Sequence, residues 1–458
     1  GFELKNINAN IEGAISKVYF RNYGYEQITL NGNFAQKLFT GEVVINDQHL
    51  DLDFAGEIDL RNKLPVFNFT SSIRKADLTD LKLMKRDKPA TFSADVTISL
   101  VGSTIDNAQG TVQVEDVVYQ EGEDVIKAER IFLETKIGDR RDLTLQSDFA
   151  DVFIAGDYTL SALPQTLEYF IASYVPALTE SNSNRPVNQE FTFKGELKRT
   201  NQLTKVFVPE IDFTRGTVFE GKINTNQNLL SVLVQAPKFK VEPVTFSQLH
   251  IDGHTDGMNF WFNTNVEEVK VSDSLKLNDV SFDGFTNRDT SSVLVNFAGE
   301  DTTKSMASFY INSAFLYTGY TAIKLMPRKL LLDGQSWTID ENNYVLADTT
   351  GLLLNEFNFI NGIQELAFDG IIGKDSSAKL NIGFKDFEAA QVNDFLSIYN
   401  VNVGGLTNGS AEISGVLGKP ALNADLNVLN IQWYGDTLGS ADLKTVWDSK
   451  LDQVNVSA

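Results

Sequence analysis

The residues able to do chemistry in this chain are few, and histidine is the scarcest, with three in 458 residues. His250 and His254 stand either side of Asp252, each two residues from it. On a strand that spacing turns all three toward one face, the arrangement of a metal pair with a carboxylate. Against it stand Asp252-Gly253, a dipeptide that favours a turn, and the commoner role of such residues as a solvated polar face, so no metal is expected. Carboxylates are plentiful, as in Glu121-Gly122-Glu123-Asp124 and Glu267-Glu268. Nothing joins one of them to an apolar pocket that would raise its pKa for acid–base work. The Gly-rich stretches lack a following helix with Lys and Ser or Thr, so they do not cradle phosphates. No Gly-x-Ser-x-Gly elbow occurs. Cysteine is absent, which excludes thiol nucleophiles and thiolate zinc sites. The expectation is a protein that is not an enzyme, with no catalytic residues and no cofactor.

Charge narrows the partners. Lys plus Arg number 39 against 61 Asp plus Glu, a net charge of −22. Phosphate binding needs clustered cations, so nucleic acid is excluded, and direct adsorption to an anionic leaflet is disfavoured. No apolar run approaches the roughly 18–20 residues of a membrane span. The chain reads as a segment of a longer protein, with any membrane attachment in regions outside it.

The elements that must position these side chains are strands. Apolar residues two apart recur at Ile28 and Leu30, Val43 and Ile45, and Leu50, Leu52 and Phe54, while Asp51, Asp53 and Glu57 take the alternate positions. The same period returns at Phe191 and Phe193, Val232 and Val234, Phe260 and Phe262, Val293, Val295 and Phe297, and Leu380, Ile382 and Phe384. Period two with one greasy side is the signature of a half-buried antiparallel strand. Phe, at 32 residues, supplies the stiff bulk that strands favour.

Glycine punctuates the pattern in two ways. An apolar-x-apolar pair followed by Asn-Gly or Asp-Gly occurs at Asn31-Gly32, Asp252-Gly253, Asp283-Gly284 and Asp369-Gly370, with a variant at Asp333-Gly334. Each copy predicts a strand running into a turn that needs positive φ. Phe-x-Gly, at Phe54, Phe193, Phe219 and Phe297, predicts bulges or bends inside strands.

Helix is scarce. The best candidate spans 163–178, with Pro164 early and Leu167, Phe170, Ile171 and Tyr174 at helical spacing; weaker ones cover 76–83 and 389–399. Turn residues at 180–186 and a charged patch at 84–89 mark soft boundaries. They divide the chain into 1–90, 91–180, 181–388 and 389–458. Residues 94–102 resemble 410–418, which suggests modular growth of one sheet.

A chain of this length holds roughly 30 strands at about 14–15 residues each with their turns, a run on the order of 140 Å at ~4.8 Å per strand. A twisted sheet with one apolar face must cover it. The cover is a closed core, a partner, or a ligand made of hydrocarbon. Each CH₂ withdrawn from water is worth ~0.8 kcal/mol, so a groove of Phe, Leu, Val and Ile would ease a lipid's passage. Periodicity alone does not separate groove from core.

Further stretches carry a resemblance: Leu143-Thr144-Leu145-Gln146-Ser147-Asp148-Phe149-Ala150-Asp151 through Leu163-Pro164-Gln165, Asp333-Gly334-Gln335-Ser336-Trp337-Thr338-Ile339, and Gly415-Val416-Leu417-Gly418-Lys419-Pro420. Together they resemble the repetitive β region of TamB-like proteins, within the wider AsmA-like envelope family, above all the forms found in Bacteroidota. The resemblance implies an all-β fold, a long curled, taco-shaped antiparallel sheet with a hydrophobic groove, placed in the periplasm between inner and outer membranes. It implies phospholipid acyl chains as cargo, lined by the apolar pairs above, and a TamA-type outer-membrane barrel as partner. An alternative role in the same family is a scaffold that assembles barrel proteins by β-augmentation. Asp-Ser/Thr triplets at Ser274, Thr302, Thr349 and Thr437 are similar to the O-glycosylation signal of that phylum.

Overall fold

The computed structural model describes residues 8–178, 186, 188–271, 276–299, 305–316, 319–332, 334–393, 402–448 and 453–457. Among them the chain is all-β, a long antiparallel sheet of thirty strands with two α-helices, α1 (Leu163–Tyr174) and α2 (Asn201–Phe207). Two compact units divide the chain. The first comprises Gly1–Thr166 with Pro186–Glu242, the second Leu167–Arg185 with Pro243–Ala458.

In the first unit the strands are laid down as an antiparallel meander, and their registers align the apolar positions into rows that run across the sheet. One row passes through Phe34, Phe39, Ile58, Phe67 and Leu100. The next passes through Gly56, Phe69, Ile98, Val112, Leu133, Leu145 and Val152, then Gly195, Phe219 and Val234. A third joins Leu30, Val43 and Phe54. The opposite face carries Asn31, Glu42, Ala55, Thr70, Thr97 and Gln113 in the same cross-strand order. Since a one-residue slip would exchange these faces, the alternation in the sequence is what fixes the register.

The second unit repeats the device. Gly253, Phe262, Gly284, Val293, Ile311 and Leu325 form one row. Val345, Leu354, Gly370, Leu380, Ile413 and Leu422 form another.

Four of the Asn-Gly and Asp-Gly dipeptides sit inside strands and not at turns, which corrects the sequence expectation. Asn31-Gly32 lies within Tyr23–Ala35, Asp252-Gly253 within Val244–Thr255, Asp283-Gly284 within Lys276–Asn287 and Asp369-Gly370 within Gln364–Gly373. The reason is close cross-strand approach. A Cβ on Gly32 would lie 2.7 Å from the Thr40 carbonyl and 2.9 Å from the Gly41 Cα, and one on Gly284 would collide with the Ser292 carbonyl. Gly334, beyond the strand Thr321–Leu332, does turn, at φ 74°.

Several breaks in the ladder fall on polar residues. Asp116, Asp279, Glu356, Asp386 and Asn430 all adopt left-handed φ of 45–54°, and the pairing slips beside each. These are β-bulges, which bend the strand and raise its twist. At three of them the next residue is driven inward: Val117, Val280 and Phe387 are buried. A neighbouring strand satisfies freed amides: Asp386 donates to Asn408 Oδ1 at 2.9 Å and Asn430 to Ser440 Oγ at 3.0 Å.

Helices are as scarce as expected. The segment predicted over 163–178 is α1 followed by a 3-10 turn, Pro176–Leu178. Residues 76–83 form the end of a strand and a turn. Of the segment at 389–399, Ala389–Val392 is a 3-10 turn, and 394–399 lie outside the described residues.

Candidate functional site

The candidate site is the apolar face of each unit. In the first unit the registers bring Ile28, Leu30, Val43, Ile45, Leu50, Leu52 and Phe54 to the same face as Phe191, Phe193, Val232 and Val234. In the second, Phe260, Phe262, Val293, Val295 and Phe297 share a face with Leu380, Ile382 and Phe384. Of all these side chains Ile28, Phe191, Val295 and Leu380 are buried. The others are half-buried. A sealed two-layer core would bury such positions throughout.

Aromatic rings pave the face. Phe54 lies 6.1 Å from Phe39 and 4.9 Å from Phe69, and Phe193 lies 6.3 Å from Phe191 and 6.4 Å from Phe219. Phe-x-Gly finds its explanation here. Phe193 pairs across the ladder with Gly221, and Gly195 pairs with Phe219. Each ring lies over the facing glycine, so a Cβ on either glycine would meet the partner ring at 2.5 Å. Two copies of one motif thus interlock reciprocally, a Phe covering the backbone that a Gly leaves bare.

The face is closed off in places. In the first unit Leu203 and Val206 of α2 pack with Leu78 and Met84 onto Ala90, Val117, Tyr119, Ile126 and Phe149. Leu81, in the turn that carries Leu78, is wholly buried. In the second, Phe170 and Tyr174 of α1 are buried, with Tyr174 6.2 Å from Phe260. Asp289 ties down this helix end: it accepts from the Ala177 amide at 2.7 Å, and its own amide donates to the Tyr174 carbonyl at 3.2 Å. Trp337 and Phe387, both buried, lie 5.9 Å apart with their rings tilted at 60°.

Most charge lies on the other face; Arg141, buried beside the Tyr158 ring, is on the apolar side in the row of Gly156 and Phe191. Arg74 bridges Asp51 and Asp53, and its hydrogen bonds hold the Asp53 carboxyl below the usual range. Asp148 shows opposing effects: burial pushes it up, but the amides of Glu129 and Arg130 and the Arg199 guanidinium outweigh that and hold it low. Burial pushes the Tyr158 phenol up to about 12.

His250, Asp252 and His254 do share a strand face, opposite Asn265, Asn263 and Trp261. The histidine and carboxylates whose ligand atoms converge, among the described residues, are a different set: His49, Asp77 and Asp80. Sequence reasoning missed them because a hairpin register, not spacing, brings them together. It also missed α2, for which the spacing of Leu203, Val206 and Phe207 was the available signal. Thr349 and Thr437 are exposed; Ser274 and Thr302 lie outside the described residues.

No protein-family model, curated protein or solved structure matches the chain. No helix among the described residues is long and apolar enough to cross a membrane.

Proposed function

We propose that the apolar face binds the acyl chains of phospholipids, the sheet curling about them as a groove, and that this protein conducts lipid without covalent chemistry. One observation carries the reading: apolar rows continue from strand to strand and are left half-exposed, while in the first unit the other face carries the polar order Asn31, Glu42, Thr70, Thr97 and Gln113. Hydrocarbon covers such a surface at a gain of ~25 cal/mol per Å² of apolar area withdrawn from water. Headgroups would remain in solvent. The family resemblance of the sequence adds the proposed setting, a periplasmic bridge between inner and outer membranes that works with a TamA-type barrel.

The test is lipid extraction and native mass spectrometry of the protein purified without detergent. Co-purifying phospholipid in stoichiometric amount is expected; a protein free of lipid that also takes up none from vesicles would overturn the proposal.

A second reading, templating of client strands by β-augmentation, has its own support. Among the described residues the strand Asn8–Phe20 is paired on one side, to Tyr23–Ala35, and Tyr19 and Phe20 are exposed. Proline substitutions along Asn8–Phe20 should then abolish client assembly and leave lipid binding intact.

A further inference from the structure

We infer that His49, Asp77 and Asp80 form a binding site for a divalent transition-metal ion, with Zn²⁺ the ion they fit. His49 immediately precedes the strand Leu50–Asp59, Asp77 ends the strand Val66–Asp77, and Asp80 follows in the next turn. His49 Nδ1 lies 3.2 Å from Asp77 Oδ2 and 3.3 Å from Asp80 Oδ2, and the three ligand atoms lie within 4.8 Å of one another. Ligands about 2.0–2.1 Å from a tetrahedral zinc ion stand about 3.3 Å apart, so the two nitrogen–oxygen separations are those of a zinc coordination edge.

The electrostatics point the same way. Two carboxylates face one ring nitrogen, and a single N–H cannot serve both. The other oxygen of Asp77, Oδ1, is buried with no hydrogen-bond partner, an arrangement that costs free energy unless a cation compensates it. The basic side chains beside Asp77 in its strand are engaged elsewhere: Lys75 donates to the Gln48 carbonyl at 3.0 Å, and Arg74 holds Asp51 and Asp53. One imidazole and two carboxylates suit zinc, copper or nickel better than magnesium or calcium, which prefer all-oxygen shells.

The ligands are held before any ion arrives. The Asp77 amide donates to the His49 carbonyl at 2.8 Å and the Leu81 amide to the Asp77 carbonyl at 2.9 Å. Bound metal would clamp to the sheet the turn whose Leu78 and Leu81 close the first unit's core.

The test is calorimetric titration of the chelator-treated protein with ZnCl₂, and separately with MgCl₂. Asp80→Asn alters an exposed side chain that takes no part in the core and so preserves the fold; His49→Ala removes the nitrogen ligand. The double variant His250→Ala/His254→Ala controls for the other two histidines. One equivalent of Zn²⁺ should bind, at least tenfold more weakly in D80N and in H49A, unchanged in the double variant, with no response to Mg²⁺. Zinc binding that survives both D80N and H49A, that vanishes in the double variant, or that is absent from the parent protein would overturn the inference.

Discussion

Glycine within a strand ordinarily weakens it by about 0.5–1 kcal/mol relative to alanine, so its recurrence on the apolar face needs a local cause. At Gly221 the cause is the Phe193 ring and the Ser231 carbonyl, into which any Cβ would run. Gly221→Ala should therefore destabilise the protein by about 1–3 kcal/mol, as overpacking does. Gly13 has nothing within 4 Å of the same position, and Gly13→Ala should be neutral or stabilising by up to about 1 kcal/mol. Urea unfolding of the two variants checks both signs; equal effects would remove the Phe-over-Gly account.

Asp256 offers a second test at the same scale. Its carboxylate accepts from the Trp261 indole N–H at 2.7 Å and from the Asn259 and Met258 amides at 2.7 and 2.9 Å. The Trp261 bond, ahead of the others, holds its pKa well below the usual range. A carboxyl depressed on folding stabilises fully above its unfolded pKa of about 3.9 and loses that contribution as pH falls through the folded value. The Trp261 indole proton resonance should hence be constant from neutral pH down through pH 4 and shift only below it. A midpoint at or above 4 would contradict the geometry.

Among elements, the bulges do what turns were expected to do. Alternation at Val43 and Ile45 or Leu52 and Phe54 is legible because burying one face imposes it locally. Asn-Gly and Asp-Gly are ambiguous, since a residue without Cβ suits both a turn and a tight cross-strand contact, and the neighbour that decides lies on another strand. The bulge residues are hidden for a related reason: Asp116 and Asp386 are ordinary polar positions until the partner strand reveals a slipped register. His49 and Asp77, 28 residues apart, meet through pairing alone. Openness of the apolar face is equally illegible, because groove and core demand the same alternation.

The bulges make a prediction of their own. Asp279 holds φ 50° and sets the buried Val280 behind it. Asp279→Gly, free of the left-handed penalty, should leave stability unchanged or raise it. Asp279→Ile should cost about 1–2 kcal/mol, the strain of a β-branched residue in that region. A shift of the urea midpoint at constant slope would assign the effect to the native state; equal stability of the two variants would mean that the bulge relaxes at no cost.

Across each unit, the continuity of the rows matters more than any one side chain. A surface that holds a chain without a fixed site tolerates single losses, because each CH₂ contributes only ~0.8 kcal/mol and adjacent rows remain. A charged group is different: an acyl chain laid against it leaves that charge desolvated and unpaired. Asp introduced at Val112, Leu133 and Leu145, consecutive partners in one row, should interrupt the path across the sheet. Bound phospholipid should fall at least tenfold relative to the parent protein. The side chains are half-buried, so their new charges remain hydrated and the fold survives, which circular dichroism would verify. The matched control puts Asp at Thr97, Gln113 and Gln146, which face the other way; it adds the same three charges and should leave lipid binding untouched. Equal loss in both sets would assign the effect to net charge, and no loss in either would mean that hydrocarbon does not lie on this face.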